Sequence, residues 1–268
     1  MSDEFKENVV VLTGASAGIG RAVAQQLAEQ GAWLALAARD LARLEQTAVD
    51  CRARGGRAIA IRTDVADEAD CRALIEQAVR EYGRIDTLIN NAGISMWTRF
   101  EELQDLSILE TIMRVNYLGA AYLTYYALPQ LRRTRGRLVA VSSLAGKTGV
   151  PTRSGYAASK HALVGFFDSL RIELRGSGVS VTLVYPGFVT SEIRERAYGS
   201  DGRPLGQSPV REAEVMSAEE CARILIDAAA RRKREAVMTL RGKLGQWGKL
   251  LAPGLVDRMA LRAIEHGK

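Results

Sequence analysis

The first regular pattern in the chain is Val9-Val10-Val11-Leu12-Thr13-Gly14-Ala15-Ser16-Ala17-Gly18-Ile19-Gly20, an apolar run that leads into a glycine-rich turn. The apolar run has the length of a strand that is buried on both faces. A helix is predicted from Ile19 to Gln30, because apolar residues recur there four positions apart. A glycine-rich link between such a strand and helix lets a pyrophosphate bind at the helix N-terminus. The stretch predicts a dinucleotide site; taken alone, it also fits an ordinary tight turn.

Strand and helix patterns alternate along the rest of the chain. Strands are predicted at Val9–Thr13, Trp33–Ala38, Ala58–Arg62, Thr87–Asn90, Arg137–Ser142, Ser180–Tyr185 and Ala236–Thr239. Helices are predicted at Ile19–Gln30, Asp40–Arg54, Glu68–Tyr82, Leu106–Gln130, Tyr156–Arg175 and Ala218–Ala230. This order predicts an α/β fold, a Rossmann-like doubly wound parallel sheet of about seven strands with helices on both faces. Ligands of such sheets bind beyond the carboxyl ends of the strands.

A second motif supplies acid/base chemistry. Tyr156 and Lys160 are four residues apart on a predicted helix and therefore share a face. A nearby lysine ammonium stabilises a phenolate, so the tyrosine can give a proton to a carbonyl oxygen or take one back. Ser143, thirteen residues earlier, can donate a second hydrogen bond to the same oxygen. A Tyr-x-x-x-Lys pair alone recurs by chance, but its order and spacing after the glycine turn predict a hydride-transfer site.

In these motifs the chain resembles the short-chain dehydrogenases/reductases, in their compact single-domain branch. The resemblance covers roughly residues 8 to 240. The segments that carry it are Thr13–Gly20, Asp64-Val65, Asn90-Asn91-Ala92-Gly93, Asn116, Ser142-Ser143, Tyr156/Lys160 and Pro186-Gly187. The glycine spacing G-x-x-x-G-x-G, which differs from the common dinucleotide fingerprint, is this family's own.

The resemblance implies a role for individual residues. Asn116, Ser143, Tyr156 and Lys160 would form the catalytic tetrad. In it, Asn116 would hold a water that relays protons to Lys160, and Lys160 would also bind the nicotinamide ribose. Asp64 and Val65 would meet the adenine, Asn91 the adenosine ribose, and the segment from Pro186 the nicotinamide. The expected cofactor-binding residues are Gly14, Ser16, Gly18, Ile19, Gly20, Arg39, Asp64, Val65, Asn91, Ala92, Gly93, Tyr156, Lys160, Pro186, Gly187, Val189 and Ser191.

The residues after the second strand predict NADP(H) in preference to NAD(H). Sites for NAD typically carry an acidic residue there, whereas an arginine accommodates the 2′-phosphate of NADP. By the resemblance, Ala38 takes the acidic position and Arg39 the phosphate-binding one. Asp40 is interpreted as the N-cap of the next helix. The alternative for Arg39 is a solvated charge at a strand end.

Composition and charge argue against several classes of protein. The 268 residues are 47% hydrophobic and 25% charged, as in a globular protein. Two histidines and three scattered cysteines argue against a metal site and for reduced thiols. No apolar run is long enough to span a membrane. The start, Met1-Ser2-Asp3-Glu4, lacks the basic and apolar regions of a signal peptide, so a cytoplasmic location is expected.

We divide the chain into a catalytic domain, residues 1–240, and a basic amphipathic tail, residues 241–268. The domain includes a substrate lid at about 187–217. Ten basic and three acidic residues lie from Arg231 onward, so the net charge of +6 comes from this end and does not indicate a nucleic-acid binder. Two helical stripes lie on either side of Pro253-Gly254: Leu240, Leu244, Trp247 and Leu251, then Leu255, Met259 and Ala263. Arg241, Lys243 and Lys249 add positive charge beside the first stripe.

Three roles remain open for this tail. Its helices can fold back on the domain or on a second subunit, because hydrophobic stripes most often bury against protein. A basic amphipathic helix that carries a tryptophan can also lie on a membrane surface as a peripheral contact. It can equally dock an acidic partner, such as an acyl carrier protein.

These motifs predict an NADP(H)-dependent oxidoreductase that interconverts a carbonyl and an alcohol. The expected substrate is an apolar ketone or aldehyde, such as a 3-oxoacyl thioester, a steroid-like ketone or a general carbonyl compound. The aromatic and apolar residues that suggest it are Met96, Trp97 and Phe100, beside the Asn91–Gly93 segment, and Phe188 and Tyr198 on the lid. Trp97 and Phe100 fit equally well as packing at a helix start. The alternative function is a non-catalytic cofactor sensor or scaffold on the same fold.

The chain is also expected to form a homodimer or homotetramer. The family resemblance implies that the long helices starting near Leu106 and Tyr156 pair across a two-fold axis. Interfaces favour tyrosine, and the first of these helices carries four tyrosines: Tyr117, Tyr122, Tyr125 and Tyr126.

Overall fold

The computed structural model describes residues 3–208 and 215–265. Its centre is a seven-stranded, all-parallel sheet in the order β3-β2-β1-β4-β5-β6-β7. The strands are β1 (Val9–Thr13), β2 (Trp33–Ala38), β3 (Arg57–Arg62), β4 (Thr87–Asn90), β5 (Arg137–Val141), β6 (Ser180–Tyr185) and β7 (Glu235–Val237). The helices are α1 (Gly18–Glu29), α2 (Leu41–Ala53), α3 (Glu68–Tyr82), α4 (Ser107–Met113), α5 (Gly119–Thr134), α6 (Ser154–Glu173), α7 (Ala218–Ala230), α8 (Leu240–Leu251) and α9 (Pro253–Glu265). The predicted Rossmann-like fold is confirmed.

The continuous apolar runs of the strands follow from burial on both sheet faces. In β1, Val10 and Leu12 pack against α1, α2 and α7, whereas Val9 and Val11 point to α3, α5 and α6. All four side chains are fully buried. Since successive strand residues point to opposite faces, a strand with helices on both sides has no polar face.

The strand order places a crevice between β1 and β4. From β1 the chain builds outward through β2 and β3, and it then returns to the other side of β1 with β4. The connections after β1 and β4 therefore diverge at their carboxyl ends, where open α/β sheets bind their ligands. The glycine turn of Thr13–Gly20 and the segment Asn90–Gly93 meet at this point.

The helical run predicted from Leu106 to Gln130 extends from Ser107 to Thr134 and contains a π-helical turn that the sequence did not indicate. The segment consists of α4, a π-helical turn at Arg114–Leu118, and α5. A π turn adds one residue to a helical turn, and a single turn of five residues is too short to be recognised from the apolar periodicity. Immediately after the turn, a Cβ on Gly119 would lie only 2.5 Å from the Val65 carbonyl oxygen. A glycine therefore allows the helix to approach the end of β3 closely.

Both predicted stripes in the tail are helical. They form α8 and α9, and the break comes at Ala252, with Pro253 at the first position of α9, where a missing N–H costs nothing. Thr239 caps α8, its Oγ1 accepting from Gly242 N at 3.0 Å. The side chains of Leu240, Arg241 and Ala263 lie outside the described part of the chain.

The three cysteines lie in the interior of the protein. Cys51, Cys71 and Cys221 are buried free thiols, and burial raises the pKa of each to about 12. Within residues 3–208 and 215–265, no group of three or more His, Cys, Asp or Glu side chains is placed to hold a metal ion. Among the described helices, none has the length and apolarity needed to cross a membrane.

Candidate active site

A cleft of about 700 Å³ opens at the carboxyl ends of the strands. All residues that the sequence assigned to cofactor binding line this cleft, from Gly14 in the turn after β1 to Ser191 after β6. Of the predicted catalytic residues, Ser143, Tyr156 and Lys160 line it as well, whereas Asn116 lies behind its wall. The fold thus brings together segments that are more than 170 residues apart in the sequence.

The glycine turn leaves the N-terminus of α1 open to the cleft. Gly18 has a φ of +51°, which side chains disfavour, and a Cβ on Gly20 would collide with the Gly14 carbonyl. The N-cap residue Ala17 offers no side-chain acceptor, whereas Asp40 and Asp67 cap α2 and α3. The first N–H groups of α1 therefore lack a side-chain cap, and this cradle fits a pyrophosphate.

Asn91 braces the turn from behind. Its Nδ2 donates to the Thr13 carbonyl at 2.9 Å and to the Gly14 carbonyl at 3.3 Å. In return, Thr13 Oγ1 accepts from the backbone N–H groups of Asn91 and Ala92, each at 3.0 Å. Asn91 thus lines the cleft while its amide is bonded to the backbone of Thr13 and Gly14, which holds the glycine turn in place.

At the far end of the cleft, β2 ends in Ala38 and Arg39. Arg39 is exposed, lines the cleft, and makes no hydrogen bond or ion pair with another described residue. Asp40 is the N-cap of α2 as predicted, accepting from Arg43 N at 3.1 Å. A cation is therefore free at the position where the resemblance places a 2′-phosphate.

An ion pair that the sequence did not reveal joins Arg43 of α2 to Glu192, which lines the cleft. Both terminal nitrogens of Arg43 donate to the Glu192 carboxylate, at 2.6 and 2.9 Å. Arg196 also pairs with Glu192. The hydrogen bond from Arg43 lowers the pKa of Glu192, outweighing the opposing effect of burial. Since 149 residues separate the partners, no local pattern could have found this link between α2 and the lid.

Tyr156 and Lys160 project from α6 beside the end of β5. Lys160 is 3% exposed, and its Nζ donates to the Val141 carbonyl at 2.9 Å. Burial lowers the pKa of its ammonium, and the neighbouring Tyr156 partly opposes this. Ser143 follows β5 and accepts at Oγ from Ala145 N at 3.2 Å. The hydrogen of the Ser143 hydroxyl is therefore free to be donated to a ligand in the cleft.

Asn116 lies in the π-helical turn and is almost fully buried. Its Oδ1 accepts from Ile94 N at 2.8 Å, and its Nδ2 donates to Ile94 O and Ser159 Oγ, each at 2.9 Å. A Cβ placed on Gly93 would lie 3.2 Å from Asn116 Oδ1 and 3.5 Å from Lys160 Nζ. Asn116 and Lys160 therefore face the same small space, and the water relay between them stays a prediction.

The expected aromatic wall is only partly correct. Phe188 and Tyr198 line the cleft. Trp97 lies behind them: its ring centroid is 6.4 Å from that of Phe188, and its backbone N–H donates to the Tyr198 carbonyl at 2.9 Å. Met96 is fully buried in the cluster that contains Tyr156.

Phe100 does not reach the cleft. Its side chain is 61% exposed and borders a separate groove that includes Leu261 of α9. The packing interpretation therefore fits Trp97, whereas Phe100 is exposed and neither packs in the interior nor lines the cleft. Residues 209–214 of the predicted lid lie outside the described part of the chain.

Arg153 lines the cleft but was not predicted from the sequence to be a site residue. It precedes Tyr156 by three residues and is only 7% exposed. Its guanidinium Cζ lies 4.5 Å from the centroid of the Tyr156 ring. The spacing to Tyr156 was visible in the sequence, but its other contacts, Ser95, Trp97 and Phe188, come from segments that only the fold brings together.

The chain is similar to known proteins in both sequence and structure. A family model described as "short chain dehydrogenase" matches residues 8–200. The chain is 36% identical over 264 residues to "11-beta-hydroxysteroid dehydrogenase 1A" of Arabidopsis thaliana, covering 94% of this chain and 75% of that protein. It is 39% identical to "11-beta-hydroxysteroid dehydrogenase A" of Arachis hypogaea, covering 96% and 75%. A crystal structure of a short chain dehydrogenase/reductase from Burkholderia phymatum in complex with NAD has a TM-score of 0.79 and 28% identity, covering 98% of this chain and 95% of that one.

Proposed function

The chain belongs to the short-chain dehydrogenase family of oxidoreductases, and we propose that it interconverts a carbonyl and an alcohol with NADP(H). One observation carries this proposal: Ser143, Tyr156 and Lys160 line the same cleft as the uncapped N-terminus of α1. An acid/base group and a dinucleotide cradle within one cleft are what hydride transfer to a carbonyl requires.

We assign the proton chemistry to residues of this chain. A nicotinamide dinucleotide, when bound, supplies or accepts the hydride. Tyr156 gives its hydroxyl proton to the carbonyl oxygen in reduction and takes it back in oxidation. Ser143 donates a hydrogen bond to the same oxygen as negative charge develops there. Lys160 is held against the Val141 carbonyl, and its ammonium stabilises the phenolate that remains after proton transfer.

The preference for NADP(H) rests on Arg39. Its exposed guanidinium lines the cleft, and no acidic side chain stands at Ala38 to accept from a ribose hydroxyl. A planar guanidinium can bind a phosphate with two hydrogen bonds. The structural relative from Burkholderia phymatum was solved in complex with NAD, so NADH is the competing cofactor. The preference is tested by comparing kcat/KM for NADPH and NADH.

We propose an apolar ketone or aldehyde as substrate, with a steroid-like ketone as the first candidate. The two plant relatives are named as 11-beta-hydroxysteroid dehydrogenases. In this chain, Phe188 and Tyr198 provide aromatic surface on the substrate side of the cleft. Ligand sites are mostly apolar with a few placed polar groups, and this wall beside Ser143 and Tyr156 has that character.

The test is a turnover screen with purified protein. NADPH or NADH is offered with steroid ketones, acyl thioesters, simple aldehydes and polar sugars. We expect NADPH consumption with the apolar ketones or aldehydes. Failure to bind NADPH would overturn the proposal, and activity confined to polar sugars would overturn the substrate class. Binding without turnover across the panel would favour a non-catalytic cofactor sensor.

For the tail we propose a surface role in a cytoplasmic homo-oligomer. Leu244, Trp247 and Leu251 of α8 are 63–84% exposed within one chain. Folding back on its own domain therefore leaves these side chains uncovered. A second subunit or peripheral contact with an anionic membrane surface would cover them, and the basic residues Lys243 and Lys249 favour the membrane.

A further inference from the structure

Arg153 is a buried cation without a carboxylate partner among the described residues. Its Nη2 donates to Ser95 Oγ at 2.9 Å, and its Nε is buried without a hydrogen-bond partner. Burial lowers the pKa of its guanidinium, yet arginine remains protonated at the pH values at which enzymes work. Among the residues that the structure describes, no carboxylate neutralises this permanent positive charge.

Aromatic rings surround this charge. Its Cζ lies 4.5 Å from the ring centroid of Tyr156, 5.1 Å from that of Trp97 and 5.9 Å from that of Phe188. All three distances fall within the range of cation–π attraction. Trp97 and Phe188 are neutral at every pH, whereas Tyr156 becomes negative when it loses its proton. The ring nearest to the cation is therefore the one whose charge changes in the proposed reaction.

Within residues 3–208 and 215–265, few other charged or titratable groups surround Tyr156. Lys160, on the same helix, has its Nζ 5.8 Å from the Tyr156 ring centroid. From the lid, Tyr198 packs against the cluster that contains Tyr156, and the positive charge of Arg194 lowers the pKa of Arg153. The residues that pack there from α4, Ile108 and Ile112, are apolar. Arg153 thus lies nearer to the ring than Lys160 does and keeps its charge over the whole working pH range.

We propose that Arg153 is a positioning residue that stabilises the phenolate form of Tyr156 with a fixed charge over its ring, in addition to Lys160. This inference rests on the proposed acid/base role of Tyr156. It gives Arg153 an electrostatic effect on the reaction without requiring contact with the substrate. Oxidation, which needs the phenolate, then becomes possible at lower pH, and reduction, which needs the phenol, is lost at lower pH.

The experiment compares pH profiles of kcat/KM for alcohol oxidation and carbonyl reduction. In Arg153→Met and Arg153→Gln, both neutral, the rising limb of oxidation and the falling limb of reduction should move to more alkaline pH by about one unit or more. Arg153→Lys retains a cation and should restore most of the wild-type profile. Arg99→Met removes an exposed arginine outside the cleft and should leave both limbs in place, because solvent screens its charge.

The outcomes separate this inference from the proposed function. Wild-type protein without turnover overturns the proposed function. Wild-type turnover with unmoved limbs in both neutral variants, and only a uniform loss of rate, overturns the role of Arg153 alone. The same loss in Arg153→Lys would likewise indicate packing rather than charge. Melting temperatures of all variants identify any that fail to fold, and the remaining neutral variant then carries the comparison.

Discussion

At the scale of single residues, the site is built from polar atoms that the backbone holds in place. Lys160 donates to the Val141 carbonyl, and Ser143 Oγ accepts from Ala145 N. Asn116 accepts from Ile94 N and donates to Ile94 O. Such contacts fix the direction of each side chain before any ligand arrives. Preorganised donors of this kind need no rearrangement when charge develops, which is the main source of electrostatic catalysis.

Replacing Lys160 with alanine should impair both cofactor binding and turnover. The variant loses the ammonium that stabilises the phenolate and the group proposed to bind the nicotinamide ribose. We expect kcat to fall about 10²–10⁴-fold and the Kd for NADPH to rise. Stopped-flow turnover and fluorescence titration measure the two effects. Lys243→Ala, which removes an exposed lysine, serves as control; an unchanged Kd in Lys160→Ala would contradict the ribose role.

Replacing Arg39 with alanine should selectively impair the use of NADPH. A guanidinium–phosphate pair contributes roughly 1.5–3 kcal/mol, so kcat/KM for NADPH should fall about 10–100-fold. The value for NADH should stay nearly constant, because NADH carries no 2′-phosphate. Arg80→Ala, an exposed arginine on α3 outside the cleft, controls for the loss of surface charge. An equal loss for both cofactors, or a wild-type preference for NADH, would refute the assignment.

Some residues of the site could be predicted from the sequence, and others could not. Residues in contiguous motifs, such as Gly14, Gly18 and Tyr156, were located because their spacing along the chain carries their chemistry. Arg153 and the Arg43–Glu192 pair were missed because their partners are brought together only by the fold. For Asn91, the sequence identified the location, but the structure shows that its amide holds the Thr13 and Gly14 carbonyls.

At the scale of elements, caps and burial explain where the sequence was accurate. β1, β2, β4 and β6 have their predicted bounds, because an apolar run between turns leaves little freedom in where a buried strand ends. The N-caps Asp40 and Asp67 fix the starts of α2 and α3. The π turn at Arg114–Leu118 was not predictable, since it keeps the helical pattern while changing the hydrogen-bond register.

The exposed apolar residues of α8 predict that the protein binds to membranes that contain anionic lipid. Full-length protein should float with liposomes that contain anionic lipid, because α8 exposes Trp247 and Leu251 beside basic residues. The double variant Trp247→Glu/Leu251→Glu should stay in the soluble fraction, and liposomes of zwitterionic lipid should bind the wild type more weakly. Equal flotation of the wild type, the double variant and a chain that ends at Thr239 would contradict the membrane role. Insolubility of the shortened chain would instead indicate that the tail packs on protein.

At the scale of the whole molecule, uncovered apolar surface supports self-association. Tyr125 of α5 and Ile172 of α6 are each 74% exposed, on two helices that cover the same sheet face. Single exposed residues are common, but aromatic side chains are enriched at interfaces. The family resemblance also implies pairing through this region of the molecule.

Light scattering should therefore give the mass of a dimer or tetramer. Tyr125→Arg would place a charge in the proposed interface and should shift the mass toward the monomer of 29.2 kDa. Arg223→Glu, at an exposed position of α7 on the opposite sheet face, is a charge-changing control outside the proposed interface. A monomer at micromolar concentration in the wild type would rule out stable self-association.

The sheet order and both core faces were within reach of the sequence, because the βαβ rule permits few topologies. The sequence could not predict which apolar side chains are exposed. Phe100, Leu244 and Trp247 have the same hydrophobicity as core residues, and only their three-dimensional neighbours decide their burial. The substrate class depends on such neighbours, and the turnover screen with several classes of carbonyl compound tests it.

Comparing the wild type with Tyr156→Phe, using NADPH and an apolar ketone, tests whether this cleft reduces carbonyl groups. The substitution removes the hydroxyl proton but keeps the ring that packs against Arg153. We predict that the wild type oxidises NADPH as the ketone is reduced, and that Tyr156→Phe binds NADPH with nearly the same affinity while kcat falls about 10²–10⁴-fold. Turnover by Tyr156→Phe close to that of the wild type would contradict the assignment of this cleft as the site of carbonyl reduction.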